Sequence, residues 1–154
     1  MISIISPIYN EADNLMELYR RVVVALESIQ EEFEFILVEN GSSDRSLEII
    51  KKLREKDPRI KYVSLSRNFG HQGGIVAGLA NVSGNAVITL DGDLQHPPEL
   101  IPNLVELWKK GYDVVYTTKK VNKHIGSWRV FPTRVFYKLI SYISDVSLTY
   151  GQSD

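Results

Sequence analysis

The stretch Ala86-Val87-Ile88-Thr89-Leu90-Asp91-Gly92-Asp93 decides the fold, because an apolar run typical of a buried strand ends in a turn that carries two carboxylates. Carboxylate oxygens suit a hard divalent cation such as Mg²⁺ or Mn²⁺, which keeps part of its coordination shell free for phosphate oxygens. Gly92 leaves the backbone open to close approach by a substrate, and Gln95 adds an amide oxygen. A lone acidic pair is more often a solvated loop or a helix cap, so the prediction of a metal site depends on the rest of the chain.

Apolar runs of similar length alternate along the chain with segments whose apolar residues recur at helical spacing. The five predicted strands are residues 2–6, 33–38, 60–65, 85–90 and 113–117. Asn14 and Glu17 are predicted to form a capping box on the first helix, and Ser43 or Asp44 to cap the second. The alternation predicts right-handed βαβ units in an α/β fold, a Rossmann-like three-layer sandwich around a mostly parallel sheet.

Ligands of such a sheet bind beyond the carboxyl ends of its strands, where polar loops are expected at residues 7–14, 39–44, 66–74 and 91–98. Tyr9 offers a ring for stacking, and Glu11 offers a hydrogen-bond acceptor. Glu39 can accept from a base N–H or a ribose hydroxyl, and Asn40 can donate or accept. A packing role for Tyr9 and a plain turn at Asn40 are equally open. The first loop has no glycine, which excludes the G-x-G-x-x-G turn of a dinucleotide site.

Length and composition limit the number of domains, the classes of partner and the cellular location that can be expected. With 154 residues and 44% hydrophobic content, residues 1–154 are predicted to form one domain. A net charge of −1 gives no reason to expect a nucleic-acid partner, and the absence of cysteine excludes disulfides and agrees with a cytoplasmic location. No apolar run approaches the roughly 18 residues of a membrane span, and the N-terminus lacks the features of a signal peptide. The last residues contain no helix stop or polar tail, so a C-terminally truncated chain is expected.

Charge is unevenly distributed along the chain. Residues 114–144 carry a charge of +6 and contain no Asp or Glu, so the remainder carries −7. Within this aromatic-rich segment, Lys119, Lys120, Arg129 and Arg134 are candidates to face a phosphate or an anionic membrane. A solvated face is the more common explanation of such a segment.

Three separated motifs, in this order, resemble those of the family 2 glycosyltransferases, which are inverting enzymes with the GT-A fold. The matching stretches are Ser6-Pro7-Ile8-Tyr9-Asn10-Glu11, Val38-Glu39-Asn40-Gly41-Ser42-Ser43-Asp44 and Asp91-Gly92-Asp93. The longer strings at residues 66–72 and 91–99 resemble the polyprenyl-phosphate branch of that family, to which dolichol-phosphate mannosyltransferase belongs. The resemblance covers essentially the whole chain.

The resemblance implies a role for each matched residue. Pro7, Tyr9 and Glu11, with Glu39, would form the nucleoside pocket, and Asn40, Asp91 and Gly92 complete the donor-binding set. Asp91, Asp93 and Gln95 would hold Mg²⁺ or Mn²⁺ against the diphosphate of the nucleotide-sugar donor. Asp154 matches the start of the family's Asp-Phe-Arg-Leu motif, whose aspartate lies near the acceptor phosphate or acts as base. The implied catalytic residues are therefore Asp93 and Asp154.

The implied reaction is the transfer, with inversion, of a hexosyl group from a UDP- or GDP-linked sugar to a polyprenyl phosphate at the inner face of the membrane. The chain departs from the family pattern where Glu39-Asn40 replaces Asp-Asp and where Thr118-Lys119-Lys120 replaces an arginine. A lysine there would neutralise phosphate as a point charge rather than as a fork. The C-terminal acceptor region of the family is missing.

Two alternatives belong to other classes. One is a truncated nucleotide-sugar-binding module that does not catalyse transfer. The other is a haloacid-dehalogenase-like phosphatase, whose Asp-x-Asp motif lies on the first strand and precedes Thr or Val, whereas Leu94 follows the motif here. Zinc chemistry is not expected, because His71, His96 and His124 lack ligand spacing and are interpreted as surface or donor-contacting residues.

Overall fold

The computed structural model describes residues 1–117. Contacts divide the chain into one unit, Met1–Tyr112, and a second that begins at Asp113, so the fold below is that of the first unit. The single domain over residues 1–154 stays a prediction. Among residues 1–117, no helix combines the length and the apolar character needed to cross a bilayer.

A four-stranded parallel sheet forms the centre of the first unit. Its strands are β1 (Ile2–Ile8), β2 (Phe33–Glu39), β3 (Ile60–Ser64) and β4 (Ala86–Thr89), in the order β3-β2-β1-β4. Ile2 is in register with Phe33 on one side and with Ala86 on the other. The first four predicted strands are confirmed, with ends that differ by one or two residues. The chain proceeds outward from β1 to β3 and then returns to the other side of β1, which creates a switch point between β1 and β4.

Helices cover both faces of the sheet. They are α1 (Leu15–Glu27), α2 (Ser46–Lys56), α3 (Gly70–Leu79) and α4 (Ile101–Lys109), and α4 follows a 3-10 turn at Pro98–Leu100. Strand residues alternate between the faces, so Ile4 and Phe35 pack in the core that contains residues of α1, α2 and α4, whereas Ile5 and Val38 pack toward Ala77 of α3. The predicted three-layer α/β sandwich is therefore confirmed.

Glycine lets α3 lie unusually close to the sheet. A Cβ atom built at Gly78 would lie 2.4 Å from Cγ2 of Ile5, and one at Gly74 would lie 2.9 Å from Cβ of Pro7. The predicted small, closely packed helix is confirmed, but it begins at Gly70 rather than after the predicted loop 66–74. His71 and Gln72 therefore lie in the first turn of α3.

Three local predictions are wrong. Asn14 makes no side-chain cap bond, because its backbone is already helical (φ −93°, ψ −23°), and its amide donates instead to Oε2 of Glu11 at 2.6 Å. Residues 113–117 form no strand, and Val114 is 80% exposed, so this apolar run gains little burial within residues 1–117. The N-cap of α2 is Arg45 rather than the predicted Ser43 or Asp44, but Oδ1 of Asp44 accepts a hydrogen bond from the backbone N–H of Ser46, the first residue of the helix, at 2.9 Å.

Candidate functional site

The acidic turn, residues 91–95, packs against the loop that follows β1. The backbone N–H of Leu90 donates to the carbonyl of Ile5 at 2.9 Å, which carries the chain to the end of β1. A Cβ atom built at Gly92 would lie 2.7 Å from Cδ1 of Ile8, 3.3 Å from the carbonyl oxygen of Pro7 and 3.5 Å from Cγ of Glu11. Only glycine fits this approach without displacing a neighbour. The structure thus brings together the two motifs that sequence analysis placed at one edge.

The loop after β1 is held rigidly by the loop after β2. The N–H of Asn10 donates to Oγ of Ser42 at 3.1 Å, and the N–H of Ser43 returns a bond to Oδ1 of Asn10 at 2.8 Å. Oδ2 of Asp44 accepts from the N–H of Ala12 at 3.0 Å. Partial burial acts to raise the pKa of Asp44, but the hydrogen bonds from Ser46 and Ala12 outweigh it, and that pKa lies below its ordinary value. Asp44 therefore fixes the backbone that carries Tyr9 and Glu11.

Glu39 is placed at the carboxyl end of β2 but is only 3% exposed. Its carboxylate accepts hydrogen bonds from the backbone N–H of Ser42 and from the hydroxyl of Ser64, the latter at 3.2 Å. A carboxylate has about four lone-pair sites, so these bonds leave capacity for a ligand. Its donor-binding role stays a prediction.

Asn40 ties the second loop to the third. Its Nδ2 donates to Oδ1 of Asn68 at 3.3 Å and to the carbonyl of Gly70 at 3.0 Å, while its Oδ1 accepts from the N–H of Phe69 at 3.0 Å. Both N–H donors of the amide are thus occupied. A ligand could contact this amide as a donor only by replacing one of these bonds, and direct donor contact by Asn40 stays a prediction.

The two carboxylates of the acidic turn have different surroundings. Asp91 is partly buried, with Oδ2 3.1 Å from Nδ1 of His96 and Oδ1 3.5 Å from Nε2 of His71. Asp93 is exposed, and its Oδ1 accepts a bond from the N–H of Gln95 at 3.0 Å across the intervening Leu94. Gln95 is exposed as well. Sequence analysis missed the histidine contacts, because nothing in the residue spacing brings position 71 to position 91.

The donor set suits a hard cation that also binds phosphate. Within residues 1–117, no three His, Asp or Glu side chains are grouped as a self-sufficient metal site. Mg²⁺ at a phosphate site is nevertheless commonly held by one or two carboxylates together with the phosphates of the substrate. The carboxylates of Asp91 and Asp93, with the amide oxygen of Gln95 on the same turn, provide oxygen ligands of that type.

The 3-10 turn that follows the acidic turn is anchored to α1 by a bidentate ion pair. Nε and Nη2 of Arg21, on α1, donate to the two carboxylate oxygens of Glu99 at 2.7 and 2.6 Å. These hydrogen bonds lower the pKa of Glu99 to about 2. Sequence analysis did not find this contact, because 78 positions separate the partners and an exposed Arg carries no pairing signal of its own.

Two aromatic side chains are exposed at the same edge of the sheet. Tyr9 is 46% exposed, which disfavours the alternative that it serves only as core packing. Phe69 is similarly exposed, and the guanidinium of Arg67 stacks over its ring at 4.8 Å. Arg67 is an exposed cation of the third loop that sequence analysis did not select. The remaining predicted residues, Asp154, Lys119, Lys120, Arg129 and Arg134, lie outside the described residues.

Comparison with known proteins identifies the family. The family model described as glycosyl transferase family 2 matches residues 3–150. The chain belongs to glycosyl transferase family 2. The resemblance inferred from the motifs is thereby confirmed, and the phosphatase alternative is not retained.

Relatives of this family 2 chain agree with the branch inferred from its motifs. An uncharacterized glycosyltransferase of Bacillus subtilis, YkcC, is 40% identical over 99% of this chain and 47% of its own length. An undecaprenyl-phosphate 4-deoxy-4-formamido-L-arabinose transferase of Pseudomonas syringae is 41% identical over 97% of this chain and 45% of its own length. The chain thus spans about half the length of the curated relatives it matches.

Solved structures of TarS from S. aureus share the fold. One, of its residues 1–349, has a TM-score of 0.60 and 25% identity over 71% of this chain and 32% of that protein chain. Another, in complex with UDP-GlcNAc, has a TM-score of 0.53 and 29% identity over 60% of this chain and 26% of that one. The predicted GT-A assignment of the α/β fold is confirmed by this likeness.

Proposed function

We propose that this chain is the nucleotide-sugar-binding part of an inverting glycosyltransferase that uses a UDP- or GDP-linked donor, Mg²⁺ or Mn²⁺, and a polyprenyl-phosphate acceptor. The observation that carries the proposal is the contact of Gly92 with Pro7 and Glu11, which sets two carboxylates beside the loop after β1 at the switch point of the sheet. The relative from Pseudomonas syringae, named for undecaprenyl phosphate, supports the acceptor class. TarS, solved with UDP-GlcNAc, supports the donor class.

The donor would lie across the crevice with its base toward the first two loops. Tyr9 is exposed and sits on backbone fixed by Asp44, so its ring is available for stacking. Pro7 and Glu11 border Gly92, which places the nucleoside pocket next to the acidic turn. The base and the diphosphate of one donor could therefore contact neighbouring loops.

The acidic turn would hold the diphosphate through a cation bound by Asp91, Asp93 and Gln95. When bound, a divalent cation there neutralises the charge that develops on the departing nucleoside diphosphate. The bond from the anomeric carbon to the donor oxygen breaks as an acceptor phosphate oxygen bonds to that carbon from the opposite face, and the nucleoside diphosphate leaves with the electron pair. A phosphate acceptor is largely ionised at neutral pH, so the demand on a general base is small, and Asp154 is proposed for that role.

The basic segment would serve the acceptor. Lys119, Lys120, Arg129 and Arg134 are proposed to attract the phosphate of the polyprenyl chain and the anionic inner surface of the membrane. A nucleotide-sugar-binding module without transfer is the second candidate, and the transfer assay described below distinguishes it from the transferase.

Calorimetry with UDP, GDP and their sugars, with and without Mn²⁺, tests the donor proposal. The expected result is nucleotide binding that strengthens with Mn²⁺, and loss of that strengthening in Asp93→Asn. Glu48→Gln is the matched control, because it removes an exposed carboxylate from α2 that forms an ion pair with Lys52 of the same helix. Nucleotide binding that is indifferent to Mn²⁺ and to Asp93→Asn would refute the proposal.

Transfer itself is tested separately, with vesicles that contain a polyprenyl phosphate and with a radiolabelled donor chosen by the calorimetry. Incorporation of label into lipid supports the transferase. Metal-dependent donor binding without incorporation supports the binding module.

A further inference from the structure

The Asp91 carboxylate lies between two imidazoles from different parts of the chain. His96 follows on the acidic turn itself, with Nδ1 3.1 Å from Oδ2, within hydrogen-bond range. His71 approaches from the first turn of α3, with Nε2 3.5 Å from Oδ1, which is longer than a well-formed hydrogen bond. Asp93, two residues on, has no such neighbours among residues 1–117.

The surroundings of His96 select one arrangement of its ring. Its Nε2 atom is buried and has no hydrogen-bond partner among residues 1–117, so a hydrogen on that nitrogen would be a buried donor without an acceptor in this part of the chain. A neutral ring with its hydrogen on Nδ1 avoids this and donates to Asp91. Pro97 restricts the backbone of His96 to extended conformations, and the following Pro98 is buried, which limits the positions that the ring can take.

We propose that His96 is a positioning residue for Asp91, which fixes the carboxylate before ligand arrives, and that His71 adds a weaker electrostatic restraint. The inference rests on the metal-assisted donor binding proposed above. A hydrogen bond to Oδ2 fixes the rotation of the carboxylate and uses one of its lone pairs, leaving the others for a cation. Asp93 is exposed, accepts one backbone hydrogen bond from Gln95, and has no histidine neighbour among residues 1–117. The acidic pair is therefore unequal, because only Asp91 is held by a side chain from outside its own backbone turn.

Amide substitutions at position 96 test the geometry, because Asn places its N–H₂ near the position of Nδ1 and Gln places it near Nε2. Mn²⁺ affinity in the presence of UDP is measured by calorimetry for the wild type, His96→Asn, His96→Gln and His96→Ala. Losing an outer partner of a metal ligand typically weakens metal affinity by about 10–100-fold, so Gln and Ala are expected to weaken Mn²⁺ binding about tenfold, whereas Asn retains most of it. His71→Ala is expected to have a smaller effect.

Two further measurements separate positioning from general damage. UDP affinity without Mn²⁺ and the Tm are expected to be the same for the Asn and Gln variants. Long-range ¹H–¹⁵N spectra of the wild type without metal are expected to show the hydrogen of His96 on Nδ1.

The outcomes distinguish this inference from the function on which it rests. If the wild type binds UDP with no response to Mn²⁺, the proposed function fails and the inference with it. If the wild type responds to Mn²⁺ but His96→Gln and His96→Asn bind it equally well, positioning by His96 is refuted and the function stands. A spectrum with the hydrogen on Nε2 also refutes it.

Discussion

At the amino end of the sheet, the buried carboxylate of Glu34 forms an ion pair with Lys61, whereas at the carboxyl end Asp91 and Asp93 lack a Lys or Arg partner within residues 1–117. Glu34 accepts from the hydroxyl of Ser3 and pairs with Nζ of Lys61, each at 2.5 Å. Both arrangements consist of acidic residues on or beside central strands. The difference agrees with the proposal that negative charge stabilises the fold at one end of the sheet and binds a ligand at the other.

The largest effect is expected from removing the paired carboxylate. Glu34→Ala deprives Lys61, Ser3 and the backbone N–H of Ser83 of their acceptor, and it should lower the free energy of unfolding by about 2–3 kcal/mol, the range for hydrogen bonds to charged groups. Nucleotide binding at the other end should be unchanged. Asp93→Asn should leave the free energy of unfolding unchanged and weaken Mn²⁺-dependent nucleotide binding, because Asn keeps the acceptor for the N–H of Gln95 and only the charge is lost. Urea unfolding and calorimetry on both variants measure the contrast, and equal stability losses would contradict it.

The same carboxylate should make stability depend on pH. Burial acts to raise the pKa of Glu34, but the bonds from Lys61, Ser3 and Ser83 outweigh it, and the pKa lies below 4.5. Because the folded-state pKa is depressed, this stabilisation is present above the unfolded-state pKa and is lost as the pH falls through the folded-state value. The stability difference between the wild type and Glu34→Gln should therefore shrink as the pH falls below about 4.5. Urea midpoints measured from pH 7 to pH 3 test this, and a constant difference would refute it.

Two glycines on either side of β4 offer a matched pair of substitutions. A Cβ atom at Gly84, at the amino end, would lie 2.7 Å from the backbone nitrogen of Ser3, whereas one at Gly92 would meet the flexible end of Ile8. Gly84→Ala should therefore destabilise by about 1–3 kcal/mol through overpacking, without affecting UDP binding. Gly92→Ala should cost less stability but displace the acidic turn and weaken Mn²⁺-dependent UDP binding. Thermal unfolding and calorimetry distinguish these outcomes. A larger loss of stability in Gly92→Ala, or weaker UDP binding in Gly84→Ala, would contradict the assignment of Gly84 to stability and of Gly92 to binding.

The sequence predicted the central strands and the polar edge well, because those features depend on local pattern. Runs such as residues 2–6 and 33–38 are mostly apolar, with Ser3, Ser6 and Glu34 as their polar members, as expected for strands covered on both faces. The shared edge of the first loop and the acidic turn followed from the expectation that loops after parallel strands meet at the carboxyl ends of those strands, whereas the close approach of Gly92 was not predicted. The fifth strand was predicted wrongly at residues 113–117, because strand propensity depends on packing and burial as well as on residue type, and Val114 is 80% exposed.

The sequence could not predict which polar side chains would be engaged in bonds within the protein. Asn40 matched a donor-binding motif, yet its amide forms hydrogen bonds with the third loop. Arg67 was not selected from the sequence, and His96 was not predicted to contact Asp91. These outcomes depend on rotamers and on contacts between residues far apart in sequence. Hydrogen bonds between loops follow no periodic sequence pattern. The residues at the edge of the sheet could therefore be predicted, but the hydrogen bonds among them could not.

The ion pair of Arg21 with Glu99 should have a modest effect, because Glu99 is 58% exposed and solvent screens the pair. Arg21→Gln should lower the Tm by no more than a few degrees but loosen the anchor of the 3-10 turn that follows the acidic turn, so that Mn²⁺-dependent binding weakens more than stability does. The exchange Arg21→Glu with Glu99→Arg restores the pair with reversed polarity and should recover binding. Calorimetry on the single and double variants measures this, and a double variant no better than the singles would exclude the pair as the anchor.

The smallest effect is expected at Leu94, where two opposing contributions nearly cancel. Its φ of +62° is unfavourable for a branched side chain, but that side chain packs against the main core, and the turn it completes carries both aspartates. Leu94→Asn relieves the backbone strain and loses the packing, so the free energy of unfolding should change by less than about 1 kcal/mol. Leu94→Val keeps an apolar group but is β-branched, and should be the worse of the two because it raises the strain. If urea unfolding shows Val to be tolerated better than Asn, packing rather than backbone conformation governs this turn.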